Sequence, residues 1–356
     1  MQGDHECEIF ESALEAAEGE ERWQSCTKNP GHRDFIPVKD FTMRHLPPDL
    51  RDQQTFSMFK AIADLTVRLR VQYTSEDRPD DDQLSALRGT DKLRTGSGLI
   101  TGITPGQGEC PCYECKWNPG RQFWWVYLRT ACHVAFDSKE AKLTKVDLFY
   151  DDEHCISDGT MKSLYGFDLE MLDASDDFCI MRCILHDESL FQQLQSYTHS
   201  SRLGMDFKMT WFTMWGRSEF LNHFIVLIVS HPHGKSKRVT IGKMKHVDVK
   251  PSEEREKSYI LECYGPVAFQ YATATCRGSS GAPIVHLCIP ITIRKGDMTS
   301  TTSRPIRADG WVHSGVLPKD REDDANSILC CVPRTRSKKI NHSCLVNSFN
   351  QYWKLV

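Results

Sequence analysis

A chain of 356 residues exceeds what one small domain needs, and it reads as a domain of a couple of hundred residues with extensions, or as two domains. Hydrophobic residues at 40% and charged residues at 26% are those of a soluble globular protein, and a net charge of −4 gives no global electrostatic case for nucleic acid as a partner. The best apolar run, Phe224 to Val229, is only strand length, so no segment reads as a membrane span.

Met1 to Ala17 is acidic and has no basic region followed by an apolar core, so it does not read as a secretory signal. Fifteen cysteines, an odd number, in a long chain without that signal read as reduced thiols of an intracellular protein, cytoplasmic or nuclear. Residues 1–25 hold eight acids against the single Arg22, and residues 1–47 as a whole read as a disordered acidic tail. Residues 48–94 read as a helix plus a linker. Asp49 is positioned to cap the helix, and Phe56, Phe59, Ile62, Ala63, Leu65 and Val67 fall on one helical stripe. The acid-rich stretch from Ser75 to Thr95 reads as the linker.

From Thr95 the texture becomes that of strands. Thr95–Gly102, Phe123–Arg129, Lys145–Tyr150, Phe178–Cys183, Asn222–Val229, Lys237–Gly242, Ala282–His286 and Gly310–Gly315 are short apolar or alternating runs separated by turn signals. That spacing predicts an antiparallel barrel or sandwich over 95–320. The stretch from Asp187 to Phe220 reads as a partly helical insertion. Residues 321–356 read as the basic loop Pro333 to Lys339 followed by a last helix through Leu345, Phe349 and Trp353.

Chemistry concentrates in a few places. Gly278-Ser279-Ser280-Gly281 is a glycine-flanked turn that lifts a hydroxyl clear of the backbone and can aim amides at one point; a plain surface turn is the alternative. A serine nucleophile needs a base and an orienting group. His133 follows a strand-like run, and Asp177 stands at the mouth of another, with Asp176 competing. Cys110, Cys112 and Cys115 have the spacing to place three sulfurs around one zinc ion, with Cys155, His154 or an N-terminal cysteine as the fourth ligand, or else form a loop of reduced thiols. His231-Pro232-His233-Gly234 reads as a turn walling a pocket rather than as a metal pair, with Lys235 to Arg238 solvated beyond it.

Taken in order, these stretches resemble the chymotrypsin-like (trypsin-fold) serine proteases, in particular their Deg-type members. Thr130-Ala131-Cys132-His133 resembles the T-A-x-H motif, Asp177-Phe178-Cys179-Ile180-Met181 the aspartate strand, Gly278-Ser279-Ser280-Gly281-Ala282-Pro283 the G-D-S-G-G-P motif, and Thr95 to Ile100 the opening strand. His133 precedes Asp177 by 44 residues, and Asp177 precedes Ser280 by 103. The pattern is also similar to that of uncharacterised invertebrate proteins with the same Cys-Pro-Cys and Ser-His-Pro-His-Gly stretches. The resemblance covers roughly 95–320. It implies two packed six-stranded antiparallel β-barrels, with an N-terminal and a C-terminal helix outside them.

It also implies a serine endopeptidase acting on peptide or protein substrates without a catalytic cofactor. Ser280 would be nucleophile, His133 general base and Asp177 its orienter, with Gly278 and Ser280 forming the oxyanion hole. Ala274 would lie at the base of the specificity pocket, beside Arg277, and His313-Ser314-Gly315 would be the strand that pairs with substrate. Two departures matter. Ser279 stands where the trypsin-like enzymes carry an aspartate, which rules out their activation switch. Ala274 gives no acid to select Lys or Arg, leaving a small or apolar preference. A catalytically inactive binding module of the same fold, and a zinc-stapled interaction protein of another fold, are the rival readings.

Overall fold

A computed structural model describes residues 5–11, 15–174, 177–202, 224–249, 267–288, 291–295, 298–302, 312–316 and 327–331. Its elements in chain order are β1 (Glu8–Ile9), α1 (Glu15–Gln24), β2 (Ile36–Pro37), α2 (Gln53–Leu65), β3 (Thr66–Val71), β4 (Arg94–Pro105), β5 (Trp124–Thr130), α3 (Ser138–Lys142), β6 (Thr144–Leu148), β7 (Lys162–Asp173), β8 (Phe178–Leu185) and α4 (Glu188–Arg202). There follow β9 (Phe224–Ser230), β10 (Arg238–Val249), β11 (Val267–Ala272), β12 (Ile284–Cys288), β13 (Ile291–Lys295), β14 (Met298–Thr302), β15 (Val312–Val316) and β16 (Ser327–Cys331).

Strands β4, β3, β6, β7, β8 and β5 pair in that order, and β5 returns to β4, closing a six-stranded antiparallel barrel with β1 laid along β4. Sequence alternation explains the barrel wall. In β5, Trp124, Val126, Leu128 and Thr130 are buried while Trp125, Tyr127 and Arg129 are half exposed, as a period of two requires. The facing β8 does the same with Cys179, Met181, Cys183 and Leu185. A second sheet runs β12-β9-β10-β11-β16-β15, with β2 paired to β10. Two packed barrels were the expectation; the structure has one closed barrel and a second sheet whose ends, β12 and β15, are joined by no ladder among the described residues. A separate β13–β14 hairpin was not foreseen.

The helix expected after Asp49 begins at Gln53. Asp52 caps it by accepting from the Thr55 amide at 2.8 Å, and Met58, Phe59, Ile62, Ala63 and Leu65 are buried. One core joins α2, α4, the closed barrel, and Ile225, Leu227, Val229, Val239 and Val285 of the second sheet. The barrel and the second sheet are therefore joined by continuous apolar packing.

Most of the first 47 residues are not a disordered tail. Phe10, Phe35, Val38, Phe41 and Leu46 are buried. Acids that suggested disorder are matched by cations from the body of the protein, Glu15 by Arg68 and Arg70 and Glu20 by Lys235, while Glu8 pairs with Arg22 of α1. Lys235–Arg238 is likewise not solvated, since Ser236 and Lys237 are fully buried and Lys237 Nζ donates to Asp151 at 2.8 Å. The insertion is helical over α4; its remainder from residue 203, the basic loop and the expected C-terminal helix lie outside the described residues.

Candidate active site

The nucleophile loop is a pair of tight turns that only glycine permits. Gly278 and Gly281 have φ of 88° and 84°. A Cβ on Gly281 would stand 2.1 Å from Ser97 O and from Thr130 Oγ1. Barrel residues lock the loop: the Ser97 amide donates to Ser280 O at 2.7 Å, and Ser97 Oγ donates to Gly278 O at 2.9 Å. Ser279, where an acid was missing, is fully buried; its hydroxyl accepts from the Cys276 amide at 3.3 Å and donates to Ser230 Oγ at 3.1 Å. Neutral hydrogen bonds thus hold the turn in place of an ion pair.

His133 follows β5 and Asp177 precedes β8, two neighbouring strands of the barrel. His133 Nδ1 lies 2.7 Å from Asp177 Oδ2, and the His133 amide donates to Asp177 Oδ1 at 2.9 Å. Both carboxylate oxygens therefore face His133. Asp177 takes a left-handed φ of 48° to do this, a strain a non-glycine residue tolerates only when its surroundings fix it. Burial alone would raise its carboxyl; the charge and hydrogen bonds of His133 outweigh that and hold it below the ordinary carboxylate range. His133 Nε2 is buried and has no hydrogen-bond partner among the described residues. Asp176 lies outside them.

The His133 loop is itself clamped. Glu140, on α3, accepts from Arg78 Nε and Nη2 at 2.7 Å each and from Arg94 Nη2. Arg78 Nη2 in turn donates to His133 O at 3.1 Å, and Arg94 Nε donates to Val134 O at 3.2 Å. Arg78 came from the stretch read as a linker, and no sequence pattern marked it.

A segment of the chain itself lies on His133 and the Gly278–Ser280 turn. Ser280 Oγ donates to Glu6 O at 3.0 Å, and the Gly278 amide donates to the same oxygen at 3.1 Å. The His5 ring stacks on His133 at 4.1 Å between centroids, 19° from parallel, with Nδ1 3.7 Å from Asp177 Oδ2. Glu6 is 6% exposed, and its carboxylate pairs with Lys28 Nζ, which also donates to Thr275 Oγ1 at 3.2 Å.

His133 and Asp177 thus form one pair, and the His5–Glu6 segment lies against both that pair and the Gly278–Ser280 turn. Ala274 is buried against Phe35 and Cys276, next to Thr275, whose hydroxyl accepts from Lys28 Nζ. Arg277 is exposed, and its carbonyl accepts from the His233 amide at 2.7 Å. His313, Ser314 and Gly315 lie on β15, as expected of a strand, paired with β16.

Three clusters have the composition of metal sites, one of them the His5, His133 and Asp177 group already described. Cys110, Cys112 and Cys115 each put Sγ 3.5–3.6 Å from His186 Nε2. For tetrahedral zinc with sulfur at about 2.3 Å and nitrogen at about 2.0–2.1 Å, the sulfur–nitrogen separation is about 3.6 Å. The fourth member is His186, not Cys155, His154 or an N-terminal cysteine; Cys155 bonds locally to Asp152. His186 closes β8, 71 residues beyond Cys115, so only pairing of β8 with β5 reveals it. Its Nδ1 donates to Gln122 O at 2.9 Å, orienting the ring. The second cluster is Cys26, His32, His233 and Cys276.

No family model matches the chain, and neither does any curated protein sequence. Its structural neighbours are trypsin-like and HtrA-type serine proteases. The active form of the Rv3671c protease of M. tuberculosis aligns over 77% of this chain and 78% of its own at 12% identity, with a TM-score of 0.38. The HtrA-type protease AlgW with a tripeptide aligns over 70% of this chain and 57% of its own at 16% identity, with a TM-score of 0.31. No helix among the described residues is long and apolar enough to cross a membrane.

Proposed function

We propose that the protein is a serine endopeptidase, cutting peptide or protein substrates through Ser280, His133 and Asp177. The observation that carries this reading is the convergence of the Gly278 amide and the Ser280 hydroxyl on one peptide carbonyl oxygen, Glu6 O. A carbonyl in that position has its oxygen against a backbone donor whose bond strengthens as charge develops, an effect worth about 10²–10³ in rate per donor. With Asp177 holding the Nδ1 proton, His133 presents the Nε2 lone pair as base. Ser280 then passes its proton through His133 to the leaving amine as the acyl ester forms, and water, deprotonated by the same imidazole, releases the acid.

The cysteine cluster with His186 suits a structural zinc ion: four protein ligands leave no open position, so the ion staples the 110–115 loop to β8 and takes no part in the reaction. Ten of the cysteines are free thiols, which fits a reducing compartment.

A second reading, a binding module without activity, draws on one feature. The Ser280 hydroxyl is engaged by Glu6 O, and His133 Nε2 has no partner among the described residues. A fluorophosphonate probe separates the two. Labelling at Ser280 that disappears in Ser280→Ala and drops sharply in His133→Ala supports the peptidase. A folded wild-type chain that takes no label supports the binding module.

A further inference from the structure

We propose that Cys26, His32, His233 and Cys276 form a second zinc site, a clip that fastens the N-terminal segment to the nucleophile loop. Their four ligand atoms lie within 4.8 Å of one another. Cys26 Sγ and Cys276 Sγ are 3.6 Å apart, and His32 Nε2 is 3.4 Å from Cys276 Sγ. Tetrahedral zinc asks for about 3.8 Å between sulfurs and about 3.6 Å between sulfur and nitrogen. His233 Nε2 is buried without a hydrogen-bond partner among the described residues, although the residue is only 5% exposed and holds a strained φ of 53°. Its other nitrogen, Nδ1, is 2.6 Å from Glu8 Oε2. A carboxylate on one face of an imidazole and an unused nitrogen on the other is how a zinc-ligating histidine is oriented. The Asn29 side-chain amide donates to Cys276 Sγ at 3.2 Å.

The ligands come in pairs from two parts of the chain, Cys26 and His32 from the loop after α1, and His233 and Cys276 from the second sheet and its nucleophile loop. Cys276 is two residues before Gly278, so the ion anchors the turn that aims the Gly278 amide.

Zinc content of the full-length chain purified without chelator tests the clip. Two ions per chain are expected, one lost in Cys26→Ser and the other in Cys110→Ser. Should either variant fold poorly, X-ray absorption of the wild type still decides. Two sites average about 2.5 sulfur ligands per zinc, whereas the Cys110 cluster alone gives three. A single ion with three sulfurs, or one that survives in Cys26→Ser and not in Cys110→Ser, overturns the proposal, as does a chain without zinc.

A separate observation concerns substrate and rests on the peptidase reading. We infer that the primary specificity pocket selects an acidic side chain, with Lys28 as the selecting residue and the chain's own Glu6 as resident occupant. Glu6 O sits on Gly278 and Ser280, so the Glu6 side chain occupies the pocket for the residue whose carbonyl is attacked, and His5 covers His133 as the residue before it would. A carboxylate 94% buried there needs a cation, and Lys28 supplies one with the Thr275 hydroxyl beside it. The expected small or apolar preference followed from Ala274 alone. Lys28 lies almost 250 residues away in sequence, and the loop that carries it is the one the clip would fix.

The binding experiment uses the full chain carrying Ser280→Ala and Glu6→Ala, with fluorescein-labelled Asp-His-Glu-Cys-Glu-Ile and its counterparts with Ala or Lys in place of the first Glu. The Glu peptide is expected to bind at least tenfold tighter than either, and Lys28→Ala to erase the difference. Equal binding of all three overturns the inference. Because no turnover is needed, that failure is distinct from a failure of the peptidase reading, which fluorophosphonate labelling of the wild-type chain reports.

Discussion

Glu140 lies away from the reacting atoms, yet its replacement tests how the site is built. Its carboxylate collects five donors: the amides of Ser75 and Phe136, Nε and Nη2 of Arg78, and Nη2 of Arg94. The residue is 0% exposed, with Arg94 at 1% and Arg78 at 2%. Among the described residues, Glu140→Gln leaves two buried guanidinium groups with only Asp82 as a charged partner, 3.0 Å from Arg78. Removing one member of such a buried set costs about 3–5 kcal/mol, and glutamine, which keeps one acceptor oxygen, belongs at the lower end. With an m-value of roughly 2 kcal/mol/M, the urea midpoint falls by about 1.5 M.

The pH dependence gives an independent sign. Burial would raise the Glu140 carboxyl, but the hydrogen bonds of Arg78 and the charges of both arginines outweigh it and place it below its ordinary 4.5. A depressed carboxylate adds stability that is present in full above the ordinary value and is lost as pH falls through the depressed one. Wild type should therefore lose stability in acid over a window that Glu140→Gln does not show. Urea titrations at pH 7 and pH 4 measure both effects. A midpoint shift under about 0.5 M at pH 7, or an unchanged acid slope, refutes the clamp.

Three further outcomes follow from distances at the site. Asp177→Asn keeps the shape but favours the wrong His133 tautomer, so kcat should fall by about 10⁴ while fluorophosphonate labelling slows in parallel; unchanged labelling would remove Asp177 from the machinery. Gly281→Ala drives a methyl to 2.1 Å from Ser97 O and Thr130 Oγ1 at a φ of 84°, so the variant should be destabilised by several kcal/mol, or about 3 kcal/mol and more, in thermal or urea melts; a near-neutral result would mean the loop is not locked to β4. Glu6–Cys7 is the first peptide bond an active Ser280 meets, so intact mass should reveal wild-type chains that begin at Cys7 and Ser280→Ala chains that do not. Wild type that retains residues 1–6 would make the segment a plug rather than a substrate.

The strands were legible because a barrel wall imposes a period of two, and Trp124 to Thr130 carries it without interruption. The pairing of His133 with Asp177 was foreshadowed by their order along the chain, and the Gly278–Gly281 turn by its two glycines, which its dihedral angles require. What escaped reading were pairings between distant segments. Acids before residue 22 resembled a tail because their partners, Arg68, Arg70 and Lys235, are remote in sequence and composition counts do not see them. His186 and Cys276 each stand alone in sequence, and only strand pairing and the nucleophile turn bring them to cysteines elsewhere. His233 was read as part of a pocket wall because its turn, with Pro232 and Gly234, explains itself locally. The unused Nε2 is visible only in three dimensions.

The residue that most separates this chain from the trypsin-like pattern also gives a prediction opposite in sign to the one the pattern suggests. By that pattern, restoring the acid with Ser279→Asp rebuilds the missing loop anchor. Ser279 is fully buried, and its hydroxyl partners are the Cys276 amide and the Ser230 hydroxyl, neither of them a cation. A carboxylate there keeps at most two neutral donors against the full loss of hydration, so its pKa rises and the charged form costs several kcal/mol. The larger side chain must also displace Ser230, on the strand end that leads into the His231 turn. The variant should therefore be less stable than wild type, most of all at high pH where the buried acid is forced to ionise. Labelling of Ser280 should fall rather than rise. A Ser279→Asp chain that melts at or above the wild-type temperature at pH 8 and labels faster would show that a cation reaches this loop, and that hydrogen bonds from Ser97, Ser230 and Cys276 are not what hold the Gly278 amide in place.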